Sequence, residues 1–143
     1  MVFVWDNIFN MNEIKPLIIT INEQGLVLMK FNGNLTKDVV PEYKAELDKG
    51  AEYIETFYKN HTKKVKVILD MTDFTGNYSL DALGALFSFA KHNTQYVDHT
   101  ASFGGSDKVK MAGEVAIALS GRENIKICDT KEEALQWVGE STF

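Results

Sequence analysis

Residues Val65 to Phe87 read VKVILDMTDFTGNYSLDALGALF, and the reading of this stretch decides the fold. Val65, Val67, Ile68, Leu69 and Met71 form a short run rich in β-branched and apolar residues. Apolar residues on both faces of so short a run fit a strand covered on both sides of a sheet. The polar residues Thr72 to Asn77 end it, and Gly76 and Asn77 tolerate the positive φ of a turn. Ser79 then stands as a helix N-cap, because its hydroxyl can accept from the free N–H groups of the first turn. Asp81 suits the positive end of the helix dipole. Leu80, Leu83, Leu86, Phe87 and Ala90 follow at helical spacing as the core face of that helix. The fold is expected to centre on this strand–loop–helix, and function to sit on it.

Upstream, Leu17 to Ile21 and Leu26 to Phe31 read as two strands joined by Asn22-Glu23-Gln24-Gly25, a polar loop ending in glycine and so a hairpin signal. In the second strand Leu26, Leu28 and Lys30 fall on one face, and Val27, Met29 and Phe31 on the other. Phe31 to Thr36 is expected to leave that strand. A helix follows from Lys37 to Asn60, with Thr36 as its cap and Pro41 in its first turn. Gly50 is expected to break or kink it.

Downstream, Ala101 to Phe103 reads as a strand, and Gly104-Gly105-Ser106-Asp107 as a turn with caps. Val109, Ala112, Val115, Ala116 and Leu119 form the stripe of a helix closed by Gly121. Ile125 to Cys128 is a further strand. Asp129 and Thr130 cap a last helix with core face Ala134, Leu135 and Val138. The order β-β-α-β-α-β-α-β-α implies an α/β domain: a mainly parallel sheet of four or five strands, an antiparallel hairpin at its start, and about four helices. Sites in such sheets gather at the carboxyl ends of strands. Here those ends are Asp70–Ser79 and Gly104–Asp107, with Asp129–Thr130 alongside.

Composition narrows the function classes. The chain has 143 residues, 45% of them hydrophobic and 24% charged, which is the size and make-up of one globular domain. Its formal net charge is −5, and no long basic run is present, which argues against nucleic acid. Cys128 is the only cysteine, so no internal disulfide can form and no CxxC metal spacing exists. The segment MVFVWDNIFNMNEI is apolar but lacks a basic flank and is interrupted by Asp6, Asn7 and Asn10, making it a poor signal peptide. No run approaches the roughly 20 apolar residues of a membrane span, and a cytoplasmic location is expected. Residues 1–13 are expected to be an extension to a domain over 14–143. Its Phe3, Trp5 and Phe9 have two readings, packing on their own domain or covering a partner's surface, the second making a homodimer plausible.

No catalytic constellation emerges. Asp70, Asp73 and Asp81 cluster at one end of the sheet, but a receiver-like magnesium site also wants a lysine and Ser/Thr at later strand ends and acidic residues after the first strand, where only Asn22 and Glu23 stand. Asp73 and Asp81 read as loop and helix-start residues. Gly104-Gly105-Ser106 precedes a helix and could cradle an anion, without a GxGxxG or GxxxxGK[ST] pattern. No GxSxG elbow surrounds Ser79, Ser102 or Ser106. His99 beside Asp98 reads as a loop residue, and Cys128 as a small core residue. Neither a metal nor a cofactor is expected.

Several stretches together carry a resemblance. They are Gly33-Asn34-Leu35-Thr36, Pro41, Val67-Ile68-Leu69-Asp70-Met71 before Asp73-Phe74-Thr75-Gly76, and Thr130-Lys131-Glu132-Glu133-Ala134-Leu135-Gln136-Trp137. In this order and spacing the chain resembles the STAS domain, and more closely its SpoIIAA-like branch, from about Ile14 onward. In anti-sigma-factor antagonists of that superfamily, a serine at the start of the helix after the LD-containing strand is phosphorylated, which controls partner binding. Ser79 falls near that position. A phosphate there would meet free N–H groups and the dipole. The antagonist Asp-Ser-Ser-Gly is replaced here by Asn77-Tyr78-Ser79-Leu80, as in the SpoIIAA-like branch, which generally lacks the serine motif. Ser79 therefore has two readings, phosphorylation site and plain N-cap.

The resemblance implies a non-enzymatic regulatory or binding module. One expectation is protein interaction or small-ligand sensing through the 70–83 loop and helix. The alternative is a carrier or membrane-surface module that holds an apolar, lipid-like ligand between the second and third helices. The expected binding residues are Asp73, Phe74, Tyr78, Ser79, Phe87 and Phe103, because apolar pockets lined with aromatics are common ligand sites. The expected partner is a protein or an apolar small molecule, with peripheral membrane contact allowed and nucleic acid excluded.

Overall fold

A computed structural model describes residues 15–139. The expected extension over 1–13, with Phe3, Trp5 and Phe9, lies outside the described residues, as do Ile14 and residues 140–143. Five strands form one sheet: β1 (Leu17–Ile21), β2 (Leu26–Leu35), β3 (Val65–Tyr78), β4 (Val97–Phe103) and β5 (Ile125–Ile127). They lie side by side in sequence order. β1 runs antiparallel to β2, and the other three pairings are parallel. Three helices make the crossovers, α1 (Val40–His61), α2 (Leu80–Asn93) and α3 (Asp107–Ser120), and α4 (Lys131–Val138) follows β5.

The hairpin forms because Asn22 organises it. Its Oδ1 accepts from the backbone N–H of Gln24 at 3.0 Å and of Leu26 at 2.9 Å. That side chain supplies the local bonds a tight turn needs. Alternation along the strands then splits the core in two. Val27, Met29, Phe31, Val65 and Val67 face α1 and α2, joined by Tyr43, Leu47 and Ile54. Leu26, Ile68, Ala101, Phe103 and Cys128 face the other way, against Ala134, Leu135 and Val138 of α4.

Several expectations are corrected. β2 does not end at Phe31, nor β3 at Met71. The two stay paired through Gly33↔Phe74 and Leu35↔Tyr78, past two register irregularities. Bulges absorb the extra residues, so polar residues that read as a turn are carried inside a strand. Gly50 does not break the helix, since α1 runs 22 residues without interruption. A Cβ at Gly50 would lie 2.6 Å from Ile19 Cδ1, so the glycine lets α1 approach β1 closely. Thr36 does not cap α1 with its side chain. A 3₁₀ turn over Lys37–Val39 comes first, and the Thr36 hydroxyl bonds Asp38. β4 begins at Val97 rather than Ala101. Val115 is 59% exposed and Leu80 82% exposed, so neither belongs to a core face. The Leu119 side chain lies outside the described residues.

Candidate functional site

α2 leans on α1, while α3 sits over β3 and β5. Between α2 and α3 a groove opens onto the sheet. Two adjoining spaces make it up. One, of about 100 Å³, lies at the carboxyl ends of the strands and is lined by Phe31, Phe74, Tyr78, Leu83 and Val109. The other, of about 160 Å³, lies toward the opposite ends of the strands and is lined by Leu69, Phe87, Phe89, Ala90, Ile117 and Ile125. Met71, Leu86, Gly113, Ala116 and Ile127 border both. Small residues on α3, namely Ala112, Gly113 and Ala116, leave the room that larger side chains would fill.

Polar atoms within this apolar lining are few. The Tyr43 hydroxyl and Asn93 Oδ1 are buried and have no hydrogen-bond partner among the described residues. An unpaired buried polar group of this kind costs stability on the order of 1–3 kcal/mol. Tyr43 borders the smaller space, and burial pushes its phenol pKa up. Asn93, 1% exposed, borders the larger. Its Nδ2 donates to Phe89 O at 2.8 Å, which leaves Oδ1 as the acceptor without a donor. Thr100, Ser102 and Arg122 border the same space. Burial holds the Arg122 guanidinium below its usual pKa. Among the described residues, no cluster of three or more His, Cys, Asp or Glu side chains could hold a metal ion.

The six residues expected at the site divide three and three. Phe74 and Tyr78 border the smaller space and Phe87 the larger. Phe74 packs on Phe31 with ring centroids 6.3 Å apart. Phe103 is buried in the cluster on the opposite face of the sheet. Asp73 is exposed and pairs with Lys30, Nζ to Oδ2 at 3.3 Å. The Ser79 hydroxyl accepts from Ala82 N at 3.1 Å and caps α2. Ser79→Ala is expected to destabilise the fold by about 1 kcal/mol, the worth of an N-cap. Urea titration reads this directly, and an unmoved midpoint would show that the cap bond contributes nothing.

The remaining titratable groups have local roles. Asp70 Oδ1 accepts from Thr72 N at 3.0 Å, holding the β3 backbone where β2–β3 pairing shifts register. Ser106 caps α3 through Val109 N at 3.4 Å. Asp129 does not cap α4; it bonds Lys110 Nζ at 3.0 Å, and Thr130 makes the cap through Glu133 N at 3.2 Å. Cys128 is buried and its thiol pKa is pushed up, a poor setting for a nucleophile. His99 bonds Asp98 at 3.3 Å and meets the Trp137 ring edge-on. No helix among the described residues is long and apolar enough to cross a membrane.

The sequence does not point to Tyr43, Asn93, Thr100 or Arg122 as site residues, and it raises Ser102 only as a nucleophile without an elbow. One signal was present for Asn93. It continues the Leu86, Phe89 and Ala90 stripe at helical spacing, a polar residue where the pattern asks for an apolar one.

A five-stranded mixed sheet with this order, a hairpin start and helices on both faces is an α/β architecture. The SpoIIAA-like family model matches residues 26–139, and the chain belongs to that family. Solved structures share the fold. A protein of SpoIIAA-like fold from Shewanella loihica is 18% identical, with 85% of this chain and 91% of that chain covered and a TM-score of 0.58. SpoIIAA of Bacillus in its phosphorylated form is 14% identical, covering 85% and 98% with a TM-score of 0.54. A sulfate transporter family protein from Wolinella succinogenes is 18% identical, covering 83% and 88% with a TM-score of 0.53. No curated protein matches the chain by sequence.

Proposed function

We propose that this chain is a non-enzymatic binding module that takes a small apolar ligand between α2 and α3. One observation supports this most. Aliphatic and aromatic side chains line a groove between α2 and α3, and Tyr43 and Asn93, which border it, carry buried polar atoms without partners among the described residues. Apolar pockets with few polar groups are common ligand sites. The loop and helix over 70–83 contribute Phe74, Tyr78 and Leu83 to one end of the groove, and a bound ligand would bear directly on the start of α2. On this reading, sensing and binding share one element.

The test is native mass spectrometry of the full chain purified from its own cells, before and after mild organic extraction. A bound species lost on extraction is expected. A clean mass in both samples would count against the carrier reading, and a phosphate-sized increment on Ser79 would turn attention to a phosphorylation switch.

A further inference from the structure

The floor of the groove is a row of side chains that crosses four strands. Met29, Leu69, Ser102 and Ile127 stand in register on β2, β3, β4 and β5. All four border the larger space, and Ser102 and Ile127 border the smaller one as well. Three of them are apolar, so the serine interrupts a row that burial alone would fill with an aliphatic residue. Its position is fixed by the sheet. Ser102 pairs with Leu69 on one side and Ile127 on the other, and its backbone oxygen accepts from Cys128 N at 2.8 Å. The parity of β4 turns Ala101 and Phe103 to the opposite face and leaves Ser102 on the groove side. Ser102 is only half-buried, and its hydroxyl makes no hydrogen bond to another described residue. Thr100, two residues earlier on the same face, is 7% exposed, so Ser102 carries the more accessible hydroxyl of the two.

We propose that Ser102 recognises a neutral oxygen, carbonyl or hydroxyl, set partway along an otherwise apolar ligand rather than at its end. The proposal rests on the groove being a ligand site and adds the chemical class of the ligand. A serine hydroxyl is one donor and two acceptors, so it serves either kind of oxygen. A single hydroxyl does not offset the burial of a charge, which makes the oxygen a neutral one. The two cations that border the groove among the described residues are already engaged, Lys110 with Asp129 at 3.0 Å and Arg122 Nε with Asn124 Oδ1 at 3.2 Å. The place of the oxygen follows from volume. A cavity of about 150 Å³ accommodates a six-carbon ring. On that scale the larger space, about 160 Å³, takes roughly six non-hydrogen atoms, and the smaller, about 100 Å³, roughly four. Ser102 borders both spaces, so the oxygen it meets lies near the middle of the ligand.

Titration calorimetry of the full chain with nonan-5-one and nonan-2-one tests this. The two ketones have the same atoms and differ in where the carbonyl stands. Nonan-5-one is expected to bind about tenfold tighter, the worth of one hydrogen bond made without pushing the chain out of either space. Ser102→Ala should erase the preference by weakening nonan-5-one about tenfold while leaving nonan-2-one unchanged. Equal affinity of the two ketones for the unaltered chain would overturn the proposal and leave the groove as a plain apolar site. A preference that survives in Ser102→Ala would overturn the assignment to Ser102. Binding of neither ketone would overturn the groove reading itself. The comparison between ketones needs no variant, so misfolding of the alanine variant does not blunt it.

Discussion

Gly113→Leu is expected to lower the affinity for apolar ligands by at least about 100-fold while leaving the fold intact. Gly113 lies on α3 and borders both spaces of the groove. A Cβ added there would lie 3.1 Å from Ile127 Cδ1 and 3.8 Å from its Cγ1. The nearer atom is the end of a flexible side chain and can move by the few tenths of an ångström required. The rest of the leucine enters empty groove rather than filled core, so the usual overpacking cost of about 1–3 kcal/mol is largely avoided. Two terms favour the variant. Leucine in a helix interior is better than glycine by about 0.7–1 kcal/mol. Its methyl groups also bury against Ile127 and Ala116, which border the same groove. The melting temperature should therefore rise by about 2–4 °C. Calorimetry gives both readouts on one sample. Lost binding with a raised melting temperature is the signature of an occupied groove, whereas unchanged binding of nonan-5-one would place the ligand elsewhere on the molecule.

The same glycine shows why the architecture was readable from the sequence and the groove was not. Hydrophobic periodicity reports which residues leave water, and it locates the five strands and four helices of the described residues, since Val67, Ile68 and Leu69 or Ala134, Leu135 and Val138 behave as their spacing demands. It cannot report a cavity, because a residue facing an empty groove has the same pattern as one facing a filled core. Leu83, Leu86, Phe87 and Ala90 read as core, and they border the groove instead. The boundary errors have a different origin. The stretch Thr72 to Asn77 has the composition of a turn, and its place in β3 comes from pairing with Asn32 and Gly33, about forty residues earlier in the chain. That pairing is tertiary, and Thr75 reinforces it through its bonds to Gly33 O at 3.1 Å and Asn34 Oδ1 at 2.6 Å. Phe103 reads as a site residue because it stands at a strand end. The parity of β4 decides its face, and that parity follows from register with β3, where Asp70 is its partner.

Register at the end of β4 also sets the second large effect, the expected collapse of stability in Gly104→Val. Gly104 and Gly105 invite comparison with an anion-binding loop, but the geometry at Gly104 is dictated by its neighbour strand. Its φ is +79°, a region that a β-branched residue enters only at a cost of about 1–2 kcal/mol. A Cβ there would sit 2.6 Å from Thr72 Oγ1, 2.9 Å from Thr72 N and 3.0 Å from Thr72 Cα. Two of these atoms are backbone, so the conflict cannot be relieved by a rotamer change. Thr72 N is itself fixed by its 3.0 Å bond to Asp70 Oδ1, so moving it breaks that bond or displaces the end of β3. Backbone strain and a displaced strand end together are expected to destabilise the fold by about 3–5 kcal/mol, against a total of about 5–15 kcal/mol for a domain. Urea denaturation should show the loss as a lower midpoint with an unchanged slope, since the surface exposed on unfolding stays the same. Gly104→Ala separates the causes. It keeps the φ cost and the Cβ contact but lacks the branched methyls, so it should lose about half as much on the same scale. A valine variant as stable as the parent would mean that β3 and β4 do not approach each other at Thr72. The floor of the groove, to which Met71 and Ser102 belong, would then have to be redrawn.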